Sequence, residues 1–322
     1  MRPSNAHTSP ATPLQRTLSS WGLDDAIDRH RREALDVLLD ALRRARFASG
    51  LRCVHCSGSR VQRWGTFSGR QRYRCTSCLR TFSDLTGTPL AYCKYPECWR
   101  AFTACVRETL SVRACGRRLG IHKDTAWRWR HRLLRALLSS EEVLLTGVVE
   151  IDAPQFHRCE KGSRHLARPP FARGVRGLDS GRERVSVLLG LDAQGTVRAE
   201  VAPPLWMLSG SLVEEILRKH CEAVETILAT RRWSRLLLRF CSATGARHHV
   251  IDEVRPVGRP LPPGSAHAYQ RRLRSWLRRF RGVATRYLDH YLCWHRFQEA
   301  NLANPFELLL RACGHPAGCV AA

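Results

Sequence analysis

The chain has 322 residues, and 53 Lys and Arg against 28 Asp and Glu give it a formal charge of +25. That length predicts a full hydrophobic core split over two or three domains, and that charge predicts a polyanionic partner. No apolar run reaches the roughly 18 residues of a membrane span; Val143-Leu-Leu-Thr-Gly-Val-Val149 is short and ends in Glu150. Fourteen cysteines without a signal peptide read as free thiols of a reducing cytosol, not as a disulfide scaffold. Four of the basic residues are lysine: Lys94, Lys123, Lys161 and Lys219. The excess of arginine suits forked contacts to phosphate and guanine, and codon bias in a GC-rich genome accounts for it equally well.

Residues 1–20 are rich in Ser, Thr and Pro and predict a disordered tail. From Trp21 to Phe47 apolar residues recur near helical spacing (Leu23, Ile27, Leu35, Leu38, Leu39, Leu42), so 21–50 reads as an N-terminal helix. Cys53-Val-His-Cys56 and Cys75-Thr-Ser-Cys78 follow, with eighteen residues between them. Each pair presents two thiolates from one tight turn. The segment between can fold back as a hairpin, which is what a tetrahedral Cys₄ zinc site requires. Residues 51–90 therefore read as a zinc ribbon, with Trp64, Phe67, Tyr73 and Phe82 packing around the metal. Arg60, Arg63, Arg70, Arg72, Arg74 and Arg80 are available to phosphate, and a solvated basic surface is the competing reading. Weaker metal candidates are Cys93 with Cys98, and His157, Cys159 and His165.

Residues 96–138 read as helical and contain a helix-turn-helix pattern. Ser111 to Gly120 forms the first helix, Gly120 the turn, and Lys123-Asp-Thr-Ala-Trp-Arg-Trp-Arg130 opens the second. The N-terminal part of the second helix enters the major groove in this motif, which makes Lys123, Thr125, Arg128 and Arg130 the candidate DNA contacts. An ordinary helical hairpin with Trp127 and Leu133 in its core is the alternative.

From Val143 the pattern changes to short apolar runs with turn signals. Strands are predicted over Val148–Ile151, Val185–Leu191 and Val197–Val201, the last two joined as a hairpin at Gly195. A helix is predicted over Leu212–Ile227, a further strand over Leu236–Phe240, a loop over 254–264, and helix again over Ala266–Phe297. An acid at the end of a hydrophobic strand, Glu150-Ile-Asp152, followed by two strands, a helix and another strand, is the layout of an RNase H-like core. Such cores hold two Mg²⁺ ions on neighbouring carboxylates for in-line displacement at phosphorus. Taken alone, Asp152 also fits a solvated strand end. On the helix from His267, an apolar face of Tyr269, Leu273, Trp276, Leu277 and Phe280 lies opposite a stripe of His267, Arg271, Arg274 and Arg278. That stripe is offered to a DNA backbone or to solvent. Residues 301–322 read as a C-terminal tail. The expected fold is α/β multidomain: zinc ribbon, helix-turn-helix, and an RNase H-like mixed sheet with flanking helices over 143–300.

Over roughly 35–297 the chain resembles bacterial insertion-sequence transposases with an N-terminal zinc ribbon and a DDE-type catalytic domain. The stretches that carry the resemblance are Arg72-Tyr-Arg-Cys-Thr-Ser-Cys78 through Thr86-Gly-Thr-Pro89, then Val149-Glu-Ile-Asp152, then Ala268-Tyr269 through Arg281 to Trp294. The resemblance implies that Asp152 is the first catalytic acid and a magnesium ligand. It places His267 third, in the Asp-Asp-His-Lys variant, and Arg274 where Lys is expected seven residues later. It also implies structural zinc, and duplex DNA partners in the element's terminal inverted repeats and its target. It further implies a homodimer or larger synaptic assembly, and a cytoplasmic, nucleoid-associated location with no membrane. The second acid is the departure. In similar proteins the fourth strand ends in Cys-Ser-Asp-Gly, whereas here Cys241-Ser242 runs into Ala243-Thr-Gly245, and Asp252 is the next acid. Two functions follow: a transposase that cleaves and joins DNA, and a catalytically inactive or domesticated protein that only occupies it.

Overall fold

The computed structural model describes residues 23–140, 144–166, 183–230, 234–251, 265–300 and 304–314. The 1–20 segment, Asp252 and the stretch 254–264 lie outside the described residues. The chain is a mixed α/β protein that divides into two compact units, Met1–Ala136 with Asn304–Ala322, and Leu137–Ala303. Among the described residues no helix is long and apolar enough to cross a membrane.

The first unit begins with helix α1 (Leu23–Arg46) and a three-stranded antiparallel sheet in the order β1 (Val61–Phe67), β2 (Arg70–Cys75), β3 (Thr81–Ser83). Helices α2 (Trp99–Arg107), α3 (Val112–Leu119) and α4 (Lys123–Ser139) follow. Their shared core is aromatic, with Trp99 stacked on Trp129 at 5.1 Å between centroids and Phe102 edge-on to both. The reading of 301–322 as a tail is corrected by a further helix, α9 (Pro305–Gly314), which packs on α1 and α2. Pro305 occupies the first helical position, where its missing N–H costs nothing. Leu308, Leu309, Ala312 and Cys313 form its buried face.

The α3–α4 joint is tightly specified. The Ser111 side chain accepts the Ala114 N–H at 3.2 Å and starts α3, and Gly120, at φ 66° and ψ 26°, ends it. The left-handed conformation suits glycine. Gly116 has a different role: a Cβ there would lie 2.7 Å from the Ile121 carbonyl oxygen. The two helices approach closely at that point, and only a bare Cα fits.

The second unit is a mixed sheet with helices on both faces. Strand β4 (Leu145–Asp152) pairs antiparallel with β6 (Arg184–Asp192), which pairs in turn with β7 (Val197–Ala202) through a turn at Gly195. On its other edge β4 pairs in parallel with β8 (Cys221–Thr230), and β8 with β9 (Arg247–Ile251). Strand β5 (Gln155–His157) continues the line of β4 along β6, since Asp152 faces Leu189 and Gln155 faces Ser186 in one unbroken register. Pro154 interrupts the ladder between them because it has no N–H to give. Helices α5 (Gly210–His220) and α6 (Ser234–Thr244) pack on one face with Val213, Ile216, Leu217, Leu237 and Phe240. Helices α7 (Ala266–Arg278) and α8 (Leu288–Glu299) pack on the other with Tyr269, Leu273, Leu288 and Leu292. Each fully buried Leu or Ile contributes about 1.5–3 kcal/mol, so the two apolar layers account for the sandwich.

Three expectations are corrected here. The helix expected over Leu212–Ile227 ends at His220, and Cys221–Thr230 is strand. The strand expected over Leu236–Phe240 is helical: Leu237, Phe240 and Cys241 are buried at i, i+3 and i+4 while Leu238 and Arg239 are exposed. The single helix expected over Ala266–Phe297 is two, broken after Arg278 with Gly282 at φ 96°.

Replacing Gly116 by Ala should lower the stability of the first unit by roughly 1–3 kcal/mol, read as an earlier midpoint in urea with an unchanged slope. An unchanged midpoint would mean that the helices are free to separate.

Candidate metal centre and nucleic-acid interface

The four ribbon cysteines converge. Their sulfurs all lie within 4.8 Å of one another, with Cys53 and Cys78 at 3.6 Å and Cys56 and Cys75 at 3.7 Å. A tetrahedral Zn–S bond of about 2.3 Å places sulfurs about 3.8 Å apart, so the donor set fits zinc in number, chemistry and span. Both knuckles use the same turn. Ser57 and Leu79, each directly after the second cysteine of its pair, are left-handed at φ 60°. The Ser57 N–H bonds the Cys53 carbonyl, and the His55 N–H points at the Cys53 sulfur. Backbone donors also act on Cys75, whose thiol is pulled down to about 6, chiefly by the Cys78 N–H and against desolvation. Zinc held here would be structural, replacing a core that the small sheet lacks.

That core is Cys53, Tyr73, Cys75 and Phe82, with the two rings 5.3 Å apart. Trp64 and Phe67, expected inside, are 46% and 65% exposed on β1. The Arg74 guanidinium lies 4.5 Å over the Trp64 ring. The β1–β2 hairpin therefore presents an aromatic and arginine surface outward.

On the helix pair, Lys123 and Arg128 are exposed and Thr125 is half-buried at the N-terminal end of α4. Arg130 does not join them. It is buried, and donates to the Leu110 carbonyl oxygen and towards the Cys115 sulfur. Trp127, expected in the core, is 40% exposed, and Trp129 takes the interior place. Ala126, Trp129, Arg130 and Leu133 fall at i, i+3, i+4 and i+7, so helical spacing alone separates the buried face from the exposed one.

The acid end of the second unit is built where β4 meets α7. The Asp152 Oδ1 accepts the Ala153 N–H at 2.7 Å. With its amide oriented by its neighbours, Gln270 donates from Nε2 to the Asp152 Oδ2 at 2.8 Å and accepts from the Arg274 Nη2 and Nε at 3.3 and 3.2 Å. Arg274 also donates to the Gln155 carbonyl oxygen at 2.9 Å and lies 4.8 Å over the Phe156 ring. Burial lowers the pKa of Arg274, and the Asp152 charge opposes that shift. Glu150 caps α7, accepting the Ala266 N–H at 2.8 Å. His267, Arg271 and Arg278 are exposed on α7. Gln270 escaped the sequence reading, although it sits within the stripe between His267 and Arg274.

Two catalytic magnesium ions would need several carboxylate oxygens around a pair of sites roughly 3.5–4 Å apart. The residue level with Asp152 on β8 is Thr230, followed in the chain by Arg231, Arg232 and Trp233. Cys241 and Ser242, expected at this strand end, lie on α6. Asp192, at the β6–β7 turn, accepts the Thr196 N–H at 2.7 Å. Among the described residues only the four ribbon cysteines bring three or more ligating side chains together. Among the described residues the donors around Asp152 do not make up a two-metal centre.

No protein-family model matches the chain. It is similar to an uncharacterised protein in the transposable element ISH50 of Halobacterium salinarum, with 31% identity over 166 residues, 50% of this chain and 56% of that protein. The chain thus spans little more than half the length of that relative. Similar solved structures include a simian T-cell lymphotropic virus intasome in complex with PP2A regulatory subunit B56 gamma, at 12% identity, 62% of this chain and 68% of that one, TM-score 0.31. Another is the Mos1 transposase paired-end complex with left transposon end, at 13% identity, 66% and 78% coverage, TM-score 0.23. Neither likeness carries an argument at those scores.

Three outcomes follow. Stripping metal with 1,10-phenanthroline should release a single zinc per chain and abolish amide protection in β1–β3, whereas protection that survives would remove the metal from the account. Arg130→Ala should destabilise the first unit by about 1–3 kcal/mol, because the half-buried Leu110 carbonyl loses its Arg130 donor and a buried side chain is removed. Arg128→Ala should leave the unfolding midpoint within about 0.5 kcal/mol of wild type.

Proposed function

We propose that the chain is a transposase-type protein of a transposable element that binds duplex DNA at the element's ends without cutting it. The ribbon over 51–90 and the helix-turn-helix over 96–138 form the recognition module, and 143–300 form an RNase H-like domain. The observation that carries the recognition half is the α3–α4 pair, which turns at Gly120 and leaves Lys123, Thr125 and Arg128 accessible at the start of α4. A helix N-terminus that exposes cations suits insertion into the major groove. The strand order β7-β6-β4-β8-β9, with an acid at the end of the central strand, supports the RNase H-like assignment. The relative within a transposable element supports the mobile-element context. Of the two functions that the sequence leaves open, occupation without cleavage is favoured by Thr230 at the position beside Asp152. Bringing two ends together requires a dimer or larger assembly, and a nucleoid location follows from the partner.

Fluorescence anisotropy tests the proposal. At about 150 mM salt, duplexes carrying the repeats that flank the gene should bind at least ~10³-fold more tightly than scrambled duplexes. Arg128→Ala should reduce that ratio. Equal affinity for both duplexes would contradict end recognition.

A further inference from the structure

The transposase-type reading leads one to look for metal at the end of β4, and the present inference rests on that reading for this contrast alone. The groups around Asp152 are assembled otherwise. Both carboxylate oxygens receive N–H donors, from Ala153 and from Gln270. Behind the Gln270 amide stands the Arg274 guanidinium, which is also tied to the Gln155 carbonyl and covers the face of Phe156. Gln155 and Phe156 belong to β5, the in-line continuation of β4. Glu150, on the same face of β4 as Asp152, holds the first residue of α7 through the Ala266 N–H. Helix α7 is thus attached to one strand line at Ala266, Gln270 and Arg274, four residues apart each time and on one face.

We propose that Asp152, Gln270 and Arg274 form a metal-free positioning clamp that fixes α7 to the acid end of the sheet. Asp152 supplies the acceptor, Gln270 relays it, and Arg274 provides the positive charge that a divalent ion would otherwise bring. Each carboxylate oxygen of Asp152 already accepts one N–H, from Ala153 at Oδ1 and from Gln270 at Oδ2. A guanidinium two bonds further on repels a second cation at short range. Arg274 is half-buried, so its charge depends on this acceptor chain for compensation. Asp152 is therefore a positioning residue, and the exposed His267, Arg271 and Arg278 keep their placement only while it is present.

The test is a double-mutant cycle on the full, zinc-loaded chain in magnesium-free buffer, with Asp152→Ala, Arg274→Ala and the pair. The clamp predicts overlapping losses: the double variant unfolds at nearly the same denaturant concentration as the less stable single variant. Additive losses would overturn it. Electron paramagnetic resonance with Mn²⁺ as the probe gives the second readout. The free-ion signal should persist in the presence of wild type, and a stoichiometric site lost in Asp152→Asn would overturn the clamp. If the Asp152 variants do not fold, Gln270→Ala keeps both charges and should still speed hydrogen exchange along α7; unchanged exchange counts against the clamp. Binding of end-containing DNA in the same buffer separates the two claims. Overlapping losses without DNA binding would remove the transposase-type reading and leave the clamp.

Discussion

Parallel pairing of β4 with β8, from Leu145 opposite Cys221 to Ile151 opposite Ala229, sets the level of every side chain at the acid end of the sheet. Neighbouring strands stand about 4.8 Å apart, so among the described residues the strand positions beside Asp152 are Leu189 on β6 and the residue one step past Ala229 on β8. Chain direction and register together make that residue Thr230. This alignment brings Asp152 level with the Gln270 and Arg274 side chains of α7.

The two units carry different parts of the account. In the first, four converging cysteines that would hold zinc support the small sheet, and a glycine-limited joint sets α3 against α4. Sulfur atoms 3.6 and 3.7 Å apart and a Gly116 with no room for a methyl group are strict geometric requirements, met by a few residues. In the second, two apolar layers enclose a sheet in which strand β6 is buried on both faces.

Much of this was legible in the chain. Cysteine spacing located the four converging sulfurs, Gly195 marked the β6–β7 turn, and the apolar run ending in Asp152 marked β4. The failures have physical causes. Leu236-Leu-Leu-Arg-Phe240 is a short apolar run, and such a run reads equally as strand or helix until a partner is known. Its i, i+3, i+4 burial belongs to a helix on the sheet, while the β-branched Val224, Thr226 and Ile227 form the strand inside it. Arg130 looked like its exposed neighbours because charge suggests surface. Its place among Ala126, Trp129 and Leu133 decided otherwise, and a carbonyl and a sulfur receive its N–H groups. Gln270 carries no charge and so drew no attention, although an uncharged amide is the group able to link a carboxylate to a guanidinium.

The central proposal is that this chain binds element-end DNA through its ribbon and helix pair and does not cut it. Strand cleavage on duplexes carrying the element's own ends, with Mg²⁺ or Mn²⁺ and with protein in excess, addresses it most directly. The account predicts that the duplex is bound and remains intact over hours, for wild type and Asp152→Asn alike. Nicking at the element boundary by wild type, lost in Asp152→Asn, would contradict it.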